Sequence, residues 1–349
     1  MASGRARNSL LDPSDVLSYF LWSLNHPPIA GRNAEHLVTD QRQFTPLHPV
    51  GHVYVLLLMT TVLWGAGPVA GKIALQGIPT ITAGMLRFGL ASLTLFLALP
   101  GRIAGWRTLG RQDLIVLLLL GILGGSINHL FFFFALGLAP ASHASIIAPT
   151  TSPIWTVLLA SRLMRERIAR AQVAGILVCV VGVALVVRPS GSSGSVPAVL
   201  LGDLFFILAG LAWGIYSYLC KVAMRRQNAE TVLAYAMGIG GALLCPAALL
   251  ERPWHALAGA SAASWGGLAY LVIGNTVLAY LWWNLGIQRV GAGRTAVFSN
   301  LVPPFGVLIA WLALGESLSA LQFLGGLLCL VGVWVCQRPA TPGRGPSSA

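Results

Sequence analysis

Apolar residues fall along this chain in long runs separated by short polar breaks, and the runs show no period-2 alternation. A helix of roughly 20 apolar residues crosses the ~30 Å hydrocarbon core of a bilayer. Ten runs reach about that length: 53–75, 80–100, 113–135, 141–162 and 170–188, then 199–221, 231–250, 264–287, 293–314 and 319–337. A membrane barrel strand would need only about ten residues and would alternate. The pattern predicts an all-α polytopic membrane protein with ten transmembrane helices.

The two sets of five runs are copies of one another. Gln172–Pro189 reads QVAGILVCVVGVALVVRP and Gln322–Pro339 reads QFLGGLLCLVGVWVCQRP, identical at nine of eighteen positions. Further back, Trp64-Gly65 returns as Trp213-Gly214, Lys72 as Lys221 and Leu136-Gly137 as Leu285-Gly286. Pro153 and Glu166 return as Pro303 and Glu316. A period this long is not a solenoid module of about 20 to 50 residues. Five spans is an odd number, so the second copy must enter the membrane from the opposite side. Inverted halves related by a pseudo-twofold axis in the membrane plane can exchange conformations around one central site, the geometry of a carrier.

Composition agrees, at 56% hydrophobic and 9% charged residues. The net charge of +12 would suggest nucleic acid were it gathered on one soluble face, but its placement follows topology instead. With the N-terminus inside, seventeen arginines fall in predicted cytoplasmic segments, among them Arg102, Arg107, Arg162 and Arg225. Arg188 and Arg252 fall on the other side, and Lys72, Arg87 and Lys221 lie within spans. This positive-inside bias puts both termini in the cytoplasm. Twenty arginines against two lysines suggest a GC-rich genome, hence a bacterial inner membrane. The first repeat is expected over 53–188 and the second over 199–338. Residues 1–52 and 339–349 are expected to be polar, disordered cytoplasmic tails, and the former lacks the basic start and long apolar core of a signal peptide.

Several chemistries find no support. Cys179, Cys220, Cys245, Cys329 and Cys336 are scattered through apolar spans without metal-ligand spacing and read as small buried hydrophobes. The sequence has no Walker motif, no GxGxxG following a strand and no GxSxG elbow. No catalytic residue, metal or cofactor is expected. The expected partners are a small-molecule substrate and the lipid bilayer, with a homodimer left open and nucleic acid excluded.

WGAGPVAGKIAL from Trp64, LRFGLASL from Leu86, the Pro149/Pro153 pair and RERIARAQVAGILVCVVGVALV resemble an EamA domain of the drug/metabolite transporter superfamily. GDLFFILAGLAWGIYSYLCK from Gly202 and GESLSALQFLGGLLCLVGVWV from Gly315 resemble a second. The resemblance implies a ten-helix inner-membrane carrier, often an exporter of amino acids or other small metabolites, with a central cavity lined by both halves. Arg165-Glu166 stands where the family usually shows Gly-Glu, and the N-terminal tail is longer than usual.

Ionisable and amide groups inside apolar runs are the candidate site, because such groups are costly in hydrocarbon unless they face a cavity or a partner. Lys72 and Arg87 fall at similar depth and could bind an anionic or carboxylate group. Their structural alternatives are snorkelling for Lys72 and a tie to helix-end carbonyls for Arg87. Asn128 and His129 precede the aromatic run Phe131–Phe134, and Asn275, Thr276 and Tyr280 occupy the comparable span of the second copy. His129 could serve as ligand, proton-coupling group or simple helix tie. Trp64 and Trp213 sit mid-span, as packing wedges or cavity walls. Pro149, Pro153, Pro303 and Pro304 should kink the fourth and ninth spans and free carbonyls near Thr150 and Asn300. No acidic residue lies mid-span, which favours neutral, zwitterionic or anionic solutes over cations. The leading expectation is a secondary transporter of small metabolites working by alternating access. The alternative is a membrane scaffold or sensor that uses its N-terminal tail.

Overall fold

The computed structural model describes residues 51–163, 170–187, 195–290, 295 and 298–336. The expected tails, and the Arg165-Glu166 pair, lie outside them. Among the described residues all regular structure is helical. The helices are α1 Gly51–Leu75, α2 Thr80–Ala98, α3 Arg111–Leu138, α4 Ala141–Leu163 and α5 Arg170–Val186. In the second copy come α6 Val196–Ala223, α7 Ala229–Leu250, a short helix Pro253–Gly259, and α8, which runs from Ala262–Tyr270 through Leu271–Leu278 to Ala279–Val290. They are followed by α9 Val302–Leu314 and α10 Ala320–Cys336.

Six helical stretches among the described residues are long and apolar enough to cross a membrane: Val53–Leu75, Thr80–Ala98, Arg111–Leu138, Val196–Cys220, Ala229–Leu250 and Ala262–Gly286. Shorter apolar helices lie at Arg170–Val186, Val302–Leu314 and Ala320–Val335. Their outer faces leave Leu97, Leu250, Leu312 and Phe323 at 74%, 84%, 67% and 58% exposure. A water-soluble surface avoids large apolar patches of this kind, whereas lipid favours them. The chain is a multi-pass membrane protein.

Each half completes its packing on the other. Helix α2 lies along α7, α3 along α6, α1 against α8 and α9, and α5 along α10. The last pair explains why its sequences agree best. Gly175, Cys179 and Gly182 of α5 face Gly325, Cys329 and Gly332 of α10, and the two helices approach until each cysteine thiol reaches the other's backbone. Cys179 Sγ donates to Cys329 O at 3.4 Å and Cys329 Sγ to Cys179 O at 3.8 Å. Small residues permit such contact in membranes, where no hydrophobic effect drives helices together. A Cβ on Gly182 would lie 2.7 Å from the Gly325 carbonyl oxygen. Gly182→Leu is therefore expected to lower thermal stability by about 2 kcal/mol or more through overpacking. Gly266→Leu, at an open position, should leave it unchanged; thermal unfolding in detergent measures both.

The prolines of the ninth span act differently from the expected kink. Pro303 and Pro304 sit in the first turn of α9, where backbone N–H groups have no intrahelical acceptor and a proline costs little. They begin the helix. The prolines inside helices α1 and α7 are Pro68 and Pro246.

Candidate functional site

Two helices carry the site, and both are widened at the same repeat position. Helix α3 passes through a π-helical segment at Gly121–Ile127, and α8 does so at Leu271–Leu278. A π turn frees carbonyls from the ordinary i+4 ladder. In each copy a hydroxyl answers one of them. Ser126 Oγ donates to Gly121 O at 3.4 Å, and Thr276 Oγ1 donates to Leu271 O at 2.8 Å. The widened turns bring His129 from one half, and Asn275 and Thr276 from the other, against α2.

Arg87 of α2 meets the second pair. Its Nε donates to Thr276 Oγ1 at 3.0 Å and its Nη2 to Asn275 Oδ1 at 2.7 Å. The guanidinium lies 5.1 Å from the Phe88 ring centroid and 5.9 Å from that of Phe133. Among the described residues no carboxylate pairs with it, and Nη1 makes no hydrogen bond. A fixed positive charge is thus held in the membrane by neutral amide, hydroxyl and aromatic groups. Asn275 is itself fixed, since its Nδ2 donates to Leu63 O at 2.9 Å while its own carbonyl accepts from Trp64 Nε1 at 3.2 Å.

His129 stacks on Phe133, centroids 4.1 Å apart, and meets Phe88 edge-on at 5.3 Å. Its Nε2 approaches Thr80 O at 3.3 Å, and a carbonyl only accepts, so Nε2 carries the proton. Nδ1 is left as a buried acceptor without a partner among the described residues. Gly84 makes room for the ring, because a Cβ there would fall 2.3 Å from it. Asn128 Nδ2 donates to Ala209 O at 2.8 Å, tying α3 to α6.

Arg87, Asn128, His129, Phe132, Trp213, Thr276 and Tyr280 line one cavity, with Gly124 and Met237. Its volume is about 40 Å³, well below the roughly 300–1,000 Å³ of ligand pockets. As it stands the cavity has no room for a solute of amino-acid size. Trp213 and Trp64 both pack on Tyr280, at 6.1 and 5.5 Å between centroids, so the matched tryptophans of the two copies flank a single ring.

The structure does not gather every candidate here. Lys72 pairs with Glu316 at 3.0 Å, outside the cavity. Thr150 turns back to the carbonyl of Ile146 in its own helix, and Asn300 lies in the turn before α9. Two glutamates escaped the sequence reading as site elements. Glu316 accepts from Ala141 N, Ser142 N and Ser142 Oγ, each at 2.9 Å, and so caps α4. Glu251 caps α2 likewise, accepting from Ile81 N at 3.0 Å, Thr82 N at 2.7 Å and Thr82 Oγ1 at 2.8 Å. Both helices follow a proline, Pro79 or Pro140, rather than a capping side chain. That was the available signal: a helix start lacking its own acceptor needs one from elsewhere.

The profile of the EamA-like transporter family matches residues 52–188 and again 200–336. An uncharacterized transporter of Bacillus subtilis, YyaM, is 28% identical, over 81% of this chain and 92% of its own. A probable terminal-alkyne amino-acid exporter of Streptantibioticus cattleyicolor is 27% identical, over 82% of this chain and 97% of its own. A probable amino-acid metabolite efflux pump of Escherichia coli is 27% identical, over 80% and 93%. A solved crystal structure shares the fold at a TM-score of 0.58 and 22% identity, covering 82% of this chain and 96% of that one.

Proposed function

From the premise that the chain belongs to the EamA-like transporter family, a family of small-molecule transporters rather than enzymes, we propose that it exports amino acids or related carboxylate-bearing metabolites by alternating access. In this reading ten helices cross a bacterial inner membrane as two inverted five-helix halves, 53–188 and 199–338, with both termini cytoplasmic. Relatives named as an amino-acid exporter and an amino-acid metabolite efflux pump support the class of solute.

One observation carries the proposal: among the described residues, Arg87 faces the shared cavity with neutral partners only. A solute carboxylate supplies the missing countercharge, and a guanidinium binds it through two parallel hydrogen bonds. The ammonium of a zwitterion then finds the ring faces of Trp213, Tyr280 and Phe132 through cation–π attraction. His129 Nδ1 and the Asn128 carbonyl offer acceptors. Because the charge sits between elements of both halves, binding bridges the interface that alternating access must open and close.

Expression in a bacterial strain lacking its amino-acid exporters tests the assignment. Cells loaded with a panel of amino acids, dipeptides and nucleobases should release a carboxylate-bearing subset faster than cells carrying the empty vector. Release of nucleobases alone, or of nothing despite confirmed membrane insertion, contradicts it.

A further inference from the structure

A second polar cluster lies outside the cavity, where α4, α6 and α10 meet. His143, Asp203 and Gln322 are 2%, 1% and 1% exposed. His143 Nδ1 lies 2.8 Å from Asp203 Oδ1, and Gln322 Nε2 lies 3.1 Å from His143 Nε2. Asp203 Oδ2 is buried and has no hydrogen-bond partner among the described residues.

The bonds around Gln322 fix its amide orientation and the tautomer of His143. Ser319 N, which can only donate, meets Gln322 Oε1 at 3.0 Å, so the amide cannot be flipped. Its NH2 group therefore faces both the Val186 carbonyl at 3.2 Å and His143 Nε2. His143 Nε2 must accept, and the ring proton sits on Nδ1 and is donated to Asp203. A second proton on His143 would face the Gln322 NH2 group donor to donor. Both imidazole nitrogens are thus engaged, and the position left open in the cluster is Asp203 Oδ2.

Building on the transporter reading, we infer that Asp203 Oδ2 is a proton-binding site that couples solute export to proton entry. A hydronium from the outer side gives its proton to Oδ2 and leaves as water, and the carboxylate becomes a neutral acid. The histidine's bond to Asp203 is charge-assisted beforehand and neutral–neutral afterwards, about half as strong. That bond ties α4 of the first half to α6 of the second, so protonation weakens a contact across the halves. The location suits entry from outside: His143 is in the first turn of α4, Gln322 in that of α10, and Asp203 in the second turn of α6. Among the described residues, the other charged groups at this end of α4 are Glu316, which caps Ala141 and Ser142, and its partner Lys72. Helix α10 carries no charged residue, and those of α5 and α6 other than Asp203 are Arg170 and Lys221, far along their helices.

Two measurements on the full chain test this. In nanodiscs, infrared difference spectra between about pH 9 and pH 4 should show a protonated-carboxyl band that disappears in Asp203→Asn. The band should persist in Glu316→Gln and shift in Asp203→Glu. A wild-type spectrum whose carboxyl bands all survive Asp203→Asn overturns the site, whether or not the protein transports. In proteoliposomes, Asp203→Asn should keep solute counterflow at equal pH, which also shows that it is folded. Its flux driven by a pH gradient should fall about tenfold or more, within the usual range of coupling between linked ligands. Undiminished gradient-driven flux in that variant also overturns the proposal. Absence of counterflow in the wild type would count against the transporter reading instead, leaving the infrared titration to decide proton binding.

Discussion

Arg87→Ala is expected to lower solute flux by about 100-fold or more while leaving the protein inserted and folded. Truncating one member of a buried, hydrogen-bonded charge pair costs about 2–5 kcal/mol, and each 1.4 kcal/mol is tenfold in binding. In the proposed reading the lost partner is the solute's own carboxylate, so the penalty falls on binding rather than on folding. Asn275 keeps its bond to Leu63 O and Thr276 its bond to Leu271 O without the arginine. Arg87→Lys should recover only part of the flux, because an ammonium is a point charge that cannot match a carboxylate fork. Flux measured beside surface expression and a size-exclusion profile separates transport from folding. Wild-type flux in Arg87→Ala would remove this residue from the site.

The second large effect is on stability. Glu316→Ala removes a carboxylate that serves two backbone N–H groups, one hydroxyl and Lys72 at once. Ala141 and Ser142 are almost fully buried, so water does not readily replace the lost acceptor. Unsatisfied buried donors cost about 1–3 kcal/mol each, not additively, and an expected loss of about 2–4 kcal/mol follows. Adding Lys72→Ala should restore part of it, since the orphaned ammonium is then gone. The pH dependence has a definite direction. Burial pushes the Glu316 carboxyl up, but the N–H groups of Ser142 and Ala141 and the Lys72 ammonium outweigh it and hold the group below its ordinary value of 4.5. A carboxyl whose folded value is depressed stabilises fully above its unfolded value. That contribution disappears as pH falls through the folded one. Glu316→Gln should therefore flatten the acid side of the stability profile, as thermal denaturation in detergent at stepped pH would record. An unchanged acid limb would mean that the cap contributes nothing.

Parts of this architecture were legible along the chain for a physical reason. Membrane helices announce themselves by length, and the α5 and α10 copies agree because each packs on the other through the same glycines and cysteine. Arg87, His129 and Asn275 stood out because ionisable and amide groups are rare in apolar runs. What the chain could not reveal was partnership across the halves. Lys72 pairs with Glu316, 244 positions away, and nothing in the linear sequence links the two. The π turns of α3 and α8 have no linear signature beyond glycines and a hydroxyl. His143 drew no notice because its partners come from two helices of the other copy. Thr150 looked like a neighbour of freed carbonyls, yet its hydroxyl is satisfied within its own helix. The second-copy prolines resemble kinks because an apolar run does not mark where its helix begins.

The central claim, that the shared cavity binds a solute carboxylate at Arg87, is tested most directly by counterflow in proteoliposomes. Labelled amino acids that move in the wild type would be compared with their decarboxylated amines, in wild type and in Arg87→Ala. A carboxylate site at Arg87 predicts exchange of the acids, little exchange of the amines, and loss of acid exchange in the variant. Amines exchanging as fast as the acids, or acids exchanging equally in both proteins, would contradict it.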